Sequence, residues 1–319
     1  MKNSRKMFIL TEAVLAVLVI IVAFVMFRET NGQERKKVSV IIQDSDASQW
    51  SAFKYGLEMA ADDLDIEMFV VSTSGKMSLS EEEDLIEREI ANGVDAVIVQ
   101  PVAGEHAGEM LDRMNKKVPV MLVESAVFQG NLPVTEPDHY AMGKVLAEEL
   151  LADYEGNIQG KTLGIVSESS DSEAVKAREK GFTEVLKEKG AEIVWNLSGD
   201  SKEEESAIEN QPEVDFVIAM DDRSLVKAGT ASEKNALHGA LVYGIGNSTE
   251  AVYCLDFGST ECLVVPDEFN VGYQSLKETA DSLGIFSDEM ESRTVSYTVM
   301  RRENLFTEEN QEILFTMNQ

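Results

Sequence analysis

The sequence predicts an α/β protein. It has two similar lobes, each a parallel β-sheet flanked by helices, behind one N-terminal transmembrane helix. Three observations carry this. Short apolar, β-branched runs alternate with segments of helical spacing from Lys37 onward, which is the signature of βαβ units. The same strand–loop–helix–strand unit occurs twice. An apolar stretch near the start is too long for an ordinary core element.

Lys2, Arg5 and Lys6 precede residues 7–27, which are apolar except for Thr11 and Glu12, and 13–27 are wholly apolar. Residues 7–27 reach the roughly 20 residues that a spanning helix needs. Basic residues ahead of the span favour a cytoplasmic N-terminus. Residues 1–6 are then a cytoplasmic tail, 7–27 the anchor and 28–36 a linker, with everything after them outside the cytoplasm. The rival is a cleaved signal peptide. Against it stand the length of the apolar run and the lack of an A-x-A site after it.

Val38–Ile42 suits a buried parallel strand, and Asp44–Ser48 a loop. Trp50, Phe53, Leu57, Ala60 and Leu64 fall at helical spacing, predicting a helix over 50–63, with a strand at 67–71 after it. A helix is expected at 81–92, a strand at 94–99, a helix at 106–116 and a strand at 118–123. Then Lys161–Val166 repeats the character of Lys37–Ile42, and Lys180-Gly181-Phe182 that of Lys54–Leu57. Each is followed by a helix and a short strand, the second at 192–195. Parallel sheets bind ligands beyond the carboxyl ends of their strands, so two facing lobes imply a cleft for a small molecule.

The chain carries 28 Lys and Arg against 58 Asp and Glu, a net charge of −30. Such a surface repels phosphate backbones and excludes nucleic acid as a partner. Glu81–Glu83 and Glu203–Glu205 read as solvated first turns of helices, where carboxylates suit the helix dipole. His106, His139 and His238 are scattered, and no metal-ligand spacing, nucleophile elbow or phosphate loop is present. Gly244-Ile-Gly246 is a turn after a strand, lacking the third glycine of a dinucleotide fingerprint. No catalytic constellation and no cofactor are expected. Cys254 and Cys262 are an even pair outside the cytoplasm, and either a disulfide or two buried thiols fits them.

Several segments together resemble the periplasmic sugar-binding proteins of the ribose-binding type (periplasmic binding protein type 1), which share their core with lac-repressor-like regulators. They are Lys54–Ala61, Asn92–Pro101 (NGVDAVIVQP), Val118-Pro119-Val120 with Glu124, Asp138 with Gly143, Arg178 with Gly181-Phe182, Ala219–Asp222 and Asn270–Tyr273. The resemblance runs from about Lys37 to the C-terminus, where Tyr297–Phe306 is similar to the closing strand and tail of carbohydrate members. It implies a hinge with three crossings, placed near Asp138, Pro266 and Val295. One lobe is then 37–138 plus 267–294, and the other 139–266 plus 295–319.

The resemblance also implies the ligand-binding set. Gln49 and Trp50, in the loop that carries Asp46, replace a pair of phenylalanines, and Trp50 offers a ring for an apolar sugar face. Glu124-Ser125 replaces an Asp-Arg pair. Lys176 falls where a second arginine is usual, a point charge in place of a fork. Asp221 stands where Asn is common, Gly246 and Asn247 where Asp is usual, Pro266 where a hinge Gln is usual, and Asp138 at a crossing. Carboxylates are satisfied by sugar hydroxyls and repel anions. The expected ligand is therefore a neutral sugar or polyol, with an amine-bearing molecule as the alternative. Two partners fit a closed, loaded form: an ABC permease, or the ectodomain of a sensor kinase or chemoreceptor. A repressor is contradicted by the apolar N-terminal span where a helix-turn-helix belongs.

Overall fold

The computed structural model describes residues 14–20, 22, 35–73, 75–199, 208–284 and 289–318. Internal contacts divide the chain into Met1–Lys36 and Lys37–Gln319. In the first unit, residues 14–20 and 22 are helical with exposed side chains. The rest of the anchor expected over 7–27 lies outside the described residues. Among the described residues no helix is long and apolar enough to cross a membrane.

The second unit holds two six-stranded sheets. The first contains β1 (Lys37–Gln43), β2 (Glu67–Thr73), β3 (Ala96–Val99), β4 (Val120–Val123), β5 (Val134–Pro137) and β11 (Arg293–Val295), in the order β11-β5-β4-β3-β1-β2. The second contains β6 (Thr162–Ser167), β7 (Glu192–Ser198), β8 (Phe216–Ala219), β9 (Leu241–Ile245), β10 (Cys262–Pro266) and β12 (Tyr297–Met300), in the order β12-β10-β9-β8-β6-β7. The orders are equivalent strand for strand, so the duplication visible in the sequence is a duplication of topology. All pairs are parallel except β10 with β12, which is antiparallel. The chain passes between the sheets after β5, after β10 and between β11 and β12.

Helices α1 (Ser51–Leu64), α2 (Leu79–Ala91), α3 (Ala107–Asn115) and α8 (Glu268–Ser282) flank the first sheet. Val38, Val40 and Ile42 of β1 face α1 and α8, while Ile41 faces α2 and α3. This is the period-2 alternation of a strand covered on both faces. Around the second sheet, α4 (His139–Asp153) and α5 (Glu173–Leu186) cover one face. The other is covered by α6 (Asp222–Glu233), α7 (Thr249–Phe257) and α9 (Glu308–Met317). Two helix pairs meet backbone to backbone at glycines. A Cβ at Gly56 of α1 would lie 2.0 Å from the Phe269 carbonyl oxygen, and one at Gly143 of α4 only 1.8 Å from that of Arg178. No other residue allows such an approach.

Several expectations need correction. The strands expected from 94 and 118 begin at Ala96 and Val120. The Val94 and Val118 N–H groups instead close the helices before them, on the Glu89 and Met114 carbonyls. Glu82 is not solvated: it is fully buried, because it shares with Ile86 and Glu89 the face of α2 turned to the sheet. Glu81 is the exposed member and completes a capping box with Ser78. Glu203–Glu205 lie outside the described residues. Cys254 and Cys262 are free, buried thiols. Cys254 packs on Gly229 of α6, whereas Cys262 points into the core under α4 and α5. The sheet separates them, and burial pushes the Cys262 thiol up to about 12.

Candidate ligand-binding site

Every loop that leaves the carboxyl end of a central strand opens into one cavity of about 760 Å³ between the sheets. The first sheet contributes Gln49 and Trp50 after β1, residues 100–105 after β3 and 124–128 after β4. The second contributes residues from 168 to 178 after β6, 221–223 after β8 and 245–247 after β9. The volume is that of a small-molecule site. Helices α5, α6 and α7 begin at these loops, capped by Ser172, Asp221 and Ser248. Their positive ends help to hold the carboxylates gathered there.

Arg178 is the centre of charge. It lies on α5 with Ala174, Val175, Gly181, Phe182 and Leu186 on the buried face of that helix, and its close approach to Gly143 fixes its backbone. Its Nη1 donates to the Met220 carbonyl at 2.8 Å and its Nε to His139 Nδ1 at 3.1 Å. His139 Nε2 in turn donates to the Glu124 carbonyl at 2.7 Å, so the arginine sets the ring's tautomer. Glu124 needs that hold, because its φ of 69° is a left-handed conformation that costs a non-glycine residue about 1 kcal/mol. Burial pulls the Arg178 pKa down, and Glu124, Asp221, Glu268 and Glu136 oppose it.

The carboxyl groups differ in how they are satisfied. Asp221 accepts from the backbone N–H of Ser224 at 2.9 Å and of Glu168 at 2.6 Å. Asp222 accepts from the N–H groups of Asn247 and Ser248, while burial raises its pKa. Glu124 Oε1 and Glu268 Oε2 are buried with no hydrogen-bond partner among the described residues. Burial first, and then the neighbouring Glu124, hold the Glu268 pKa well above the usual carboxylate range.

Contacts between the two sheets' loops ring the cavity. Arg223 bridges Glu168 at 2.8 Å and Asp44 at 2.7 Å. Asn247 Nδ2 donates to the Gln49 carbonyl at 2.8 Å, the Ala174 N–H donates to Ser125 Oγ at 3.2 Å, and Ser48 bonds Glu250.

The structure brings together Gln49, Trp50, Glu124, Lys176, Asp221 and Asn247. Trp50 is only 3% exposed, its indole N–H donating to the Gln43 carbonyl at 2.9 Å and its ring edge-on to Phe53. It forms wall and core at once. Two expected residues stand apart from the lining. Asp46 is exposed at the loop tip. Asp138 caps α4 by accepting the Ala141 N–H at 2.9 Å, so its carboxylate is used within its own helix turn. Lys176 lies at the rim, paired with Glu173 at 2.8 Å. The buried cation is Arg178, two residues on, and it was not among the expected ligand-binding residues, nor were Glu268, Asp222 and Arg223. Their signal was available: Arg178 and Glu268 each occupy an i, i+3, i+4 position on an otherwise apolar or small-residue helix face.

A search of curated proteins finds no match. The structure is similar to a carbohydrate transporter solute-binding protein from Agrobacterium radiobacter in complex with D-arabinose, with 18% identity, TM-score 0.79, and coverage of 88% of this chain and 99% of that one. It is also similar to GanP, a glucose-galactose binding protein from Geobacillus stearothermophilus, with 18% identity, TM-score 0.75, and coverage of 86% and 100%. A third likeness is to the XylFII–LytSN complex, with 16% identity, TM-score 0.72, and coverage of 84% and 98%. At these identities the likeness is one of fold. The model of the periplasmic binding protein domain matches residues 38–284, and on that match the chain belongs to the periplasmic binding protein domain family.

Proposed function

We propose that this chain is an extracytoplasmic solute-binding protein that captures a small neutral carbohydrate between its lobes by hinge closure and presents it to an ABC permease. The observation that carries this reading is the cavity's charge. Its carboxyl groups include oxygens that no donor among the described residues reaches, while its cations are engaged by the protein: Lys176 with Glu173, Arg223 with Glu168 and Asp44, and Arg178 with Met220 and His139; Lys76, which also lines the cavity, is not free either. Hydroxyl groups supply the missing donors without adding negative charge, whereas a phosphate or carboxylate ligand meets repulsion. The sugar complexes among the structural neighbours support the same class. In this reading Gln49, Trp50, Glu124, Lys176, Asp221 and Asn247 contact the ligand, with hinge crossings near Asp138, Pro266 and Val295. The contacts across the cleft mouth close over it, and ligand binding favours the closed form.

A thermal-shift panel of neutral sugars, sugar phosphates, amino acids and polyamines on the full-length chain tests this. A neutral sugar at a hundred times its dissociation constant should add about 2.7 kcal/mol of stability. A shift with sugar phosphates alone refutes the charge argument. The XylFII–LytSN complex favours one further reading, in which the loaded form docks on a partner protein such as a sensor ectodomain. Co-purification of the sugar-loaded chain with a permease or with such an ectodomain distinguishes them. The apolar run at 7–27 also supports a retained membrane anchor, and a mature N-terminus near Gln33 would contradict it.

A further inference from the structure

Glu268 is 3% exposed, lies in the first turn of α8 and lines the cavity. Its Oε2 and the Oε1 of Glu124 are both buried, and no N–H or O–H group of the described residues reaches either. After burial, Glu124 is the group that does most to raise the Glu268 pKa. Two neighbouring buried negative charges repel strongly. Burial and that repulsion favour Glu268 in its protonated form.

The charged groups facing Glu268 are Glu124 from the loop after β4, Arg178 from α5 and Asp267 just before α8. Arg178 is itself shared with Asp221 and Glu136. The packing of α8 on β4 and α1 includes the apolar side chains Met121, Val123, Phe53 and Leu57, with Tyr273 of α8 donating to Asp63 of α1 at 3.0 Å. Arg178 thus faces several carboxyl groups, and a proton held by Glu268 reduces the imbalance. The pair belongs to both the wall and the hinge side of the cavity, since Glu268 follows the passage after β10.

We propose that Glu268 joins Glu124 as a ligand-contacting, specificity-determining pair that takes two neighbouring hydroxyl groups of a polyhydroxylated ligand. The proposal rests on the neutral-sugar reading above. Hydroxyl groups suit a protonated Glu268 beside Glu124, because each can accept from the acid and donate to a carboxyl oxygen. A ligand lacking one of the two hydroxyls leaves a buried acceptor unpaired, and should bind at least about tenfold more weakly. An ammonium ligand behaves oppositely: it displaces the proton on Glu268, which is released to solvent, and its affinity rises with pH.

The test is calorimetric titration of the full-length wild type and Glu268→Gln with the neutral sugar that gives the largest thermal shift, across about pH 5 to 9, together with its monodeoxy analogues. Glutamine matches the protonated side chain in shape, and the ligand-free melting temperature reports whether the variant folds. The wild-type affinity should fall as pH rises, by up to about tenfold per pH unit once Glu268 loses its proton. In Glu268→Gln the profile should flatten, and the penalty for one particular deoxy analogue should shrink. The analogue series on the wild type needs no variant to fold, and equal affinities for all analogues overturn the proposal. So does a variant with the wild-type pH profile, or a wild-type affinity that rises with pH. A wild type that binds no neutral sugar at any pH overturns the underlying sugar reading instead.

Discussion

Arg178→Ala should lower the melting temperature by roughly 10 °C and abolish measurable ligand binding. The substitution removes the one cation buried among Glu124, Asp221, Glu268 and Glu136. It also takes the donor from the Met220 carbonyl and from His139. Breaking a buried charge network from one side costs about 3–5 kcal/mol, because the remaining charges stay buried and unpaired. In a chain of this size each kcal/mol is worth about 2–4 °C. Binding fails for a second reason. His139 loses the partner that orients it towards the Glu124 carbonyl, and Glu124 then has less to hold its left-handed backbone. Arg178→Lys keeps the charge without the fork and should fall between the two. Thermal melts at neutral pH check this, and a loss below about 1 kcal/mol for the alanine variant would contradict the central role of Arg178.

Glu82→Gln should stabilise the protein at neutral pH and flatten its stability against pH. Burial raises the Glu82 pKa from its ordinary 4.5 to about 8, partly offset by the Val102 N–H that donates to Oε1 at 2.9 Å. Between those values the folded state keeps a proton that the unfolded chain has released. Stability from this group is therefore fully present below about pH 4.5 and is lost as pH rises through about 8. At about 1.4 kcal/mol per pH unit, the loss at pH 7 is on the order of 3 kcal/mol. Glutamine retains an oxygen for Val102 and carries no charge. Glu268 titrates in the same direction, so the informative quantity is the difference between variant and wild type at each pH, measured by denaturant unfolding. A difference that stays constant from acid to alkaline pH would contradict a buried, neutral Glu82. Val102 belongs to the loop after β3 that lines the cavity, so the group also supports the binding wall.

The legible part of this protein was its periodicity. The β1 and β6 runs, the helices between them and the repeat of the unit follow from the 2.0 and 3.6 residue spacings, and they locate the cavity at the strand ends without any knowledge of side-chain positions. Strand starts were less legible, because Val94 and Val118 are as apolar as the strands they precede and only their hydrogen bonds assign them to the helices before. Charge type alone does not tell which way a side chain faces. The Ala174, Val175, Gly181 and Phe182 stripe turns Arg178 inward and leaves Lys176 at the rim. Glu82 lies on the buried face of α2 with Ile86, and Val271, Gly272 and Ser275 mark the Glu268 face of α8 as buried. Asp138 showed the converse. A carboxylate one residue before a helix is a cap first, and its hydrogen bond to Ala141 takes it out of the lining. The cysteines were undecidable from spacing, since a helix and a strand close in sequence are held apart by the sheet between their side chains.

The most direct test of the account is a crystal structure of the full-length chain grown with the neutral sugar that stabilises it most. One sugar is expected in the cavity, hydrogen-bonded to Glu124 from the first sheet and to Asp221 or Asn247 from the second, with the Arg223–Asp44 and Asn247–Gln49 contacts closed over it. A sugar bound elsewhere on the surface, or an empty cavity at saturating sugar, would contradict it.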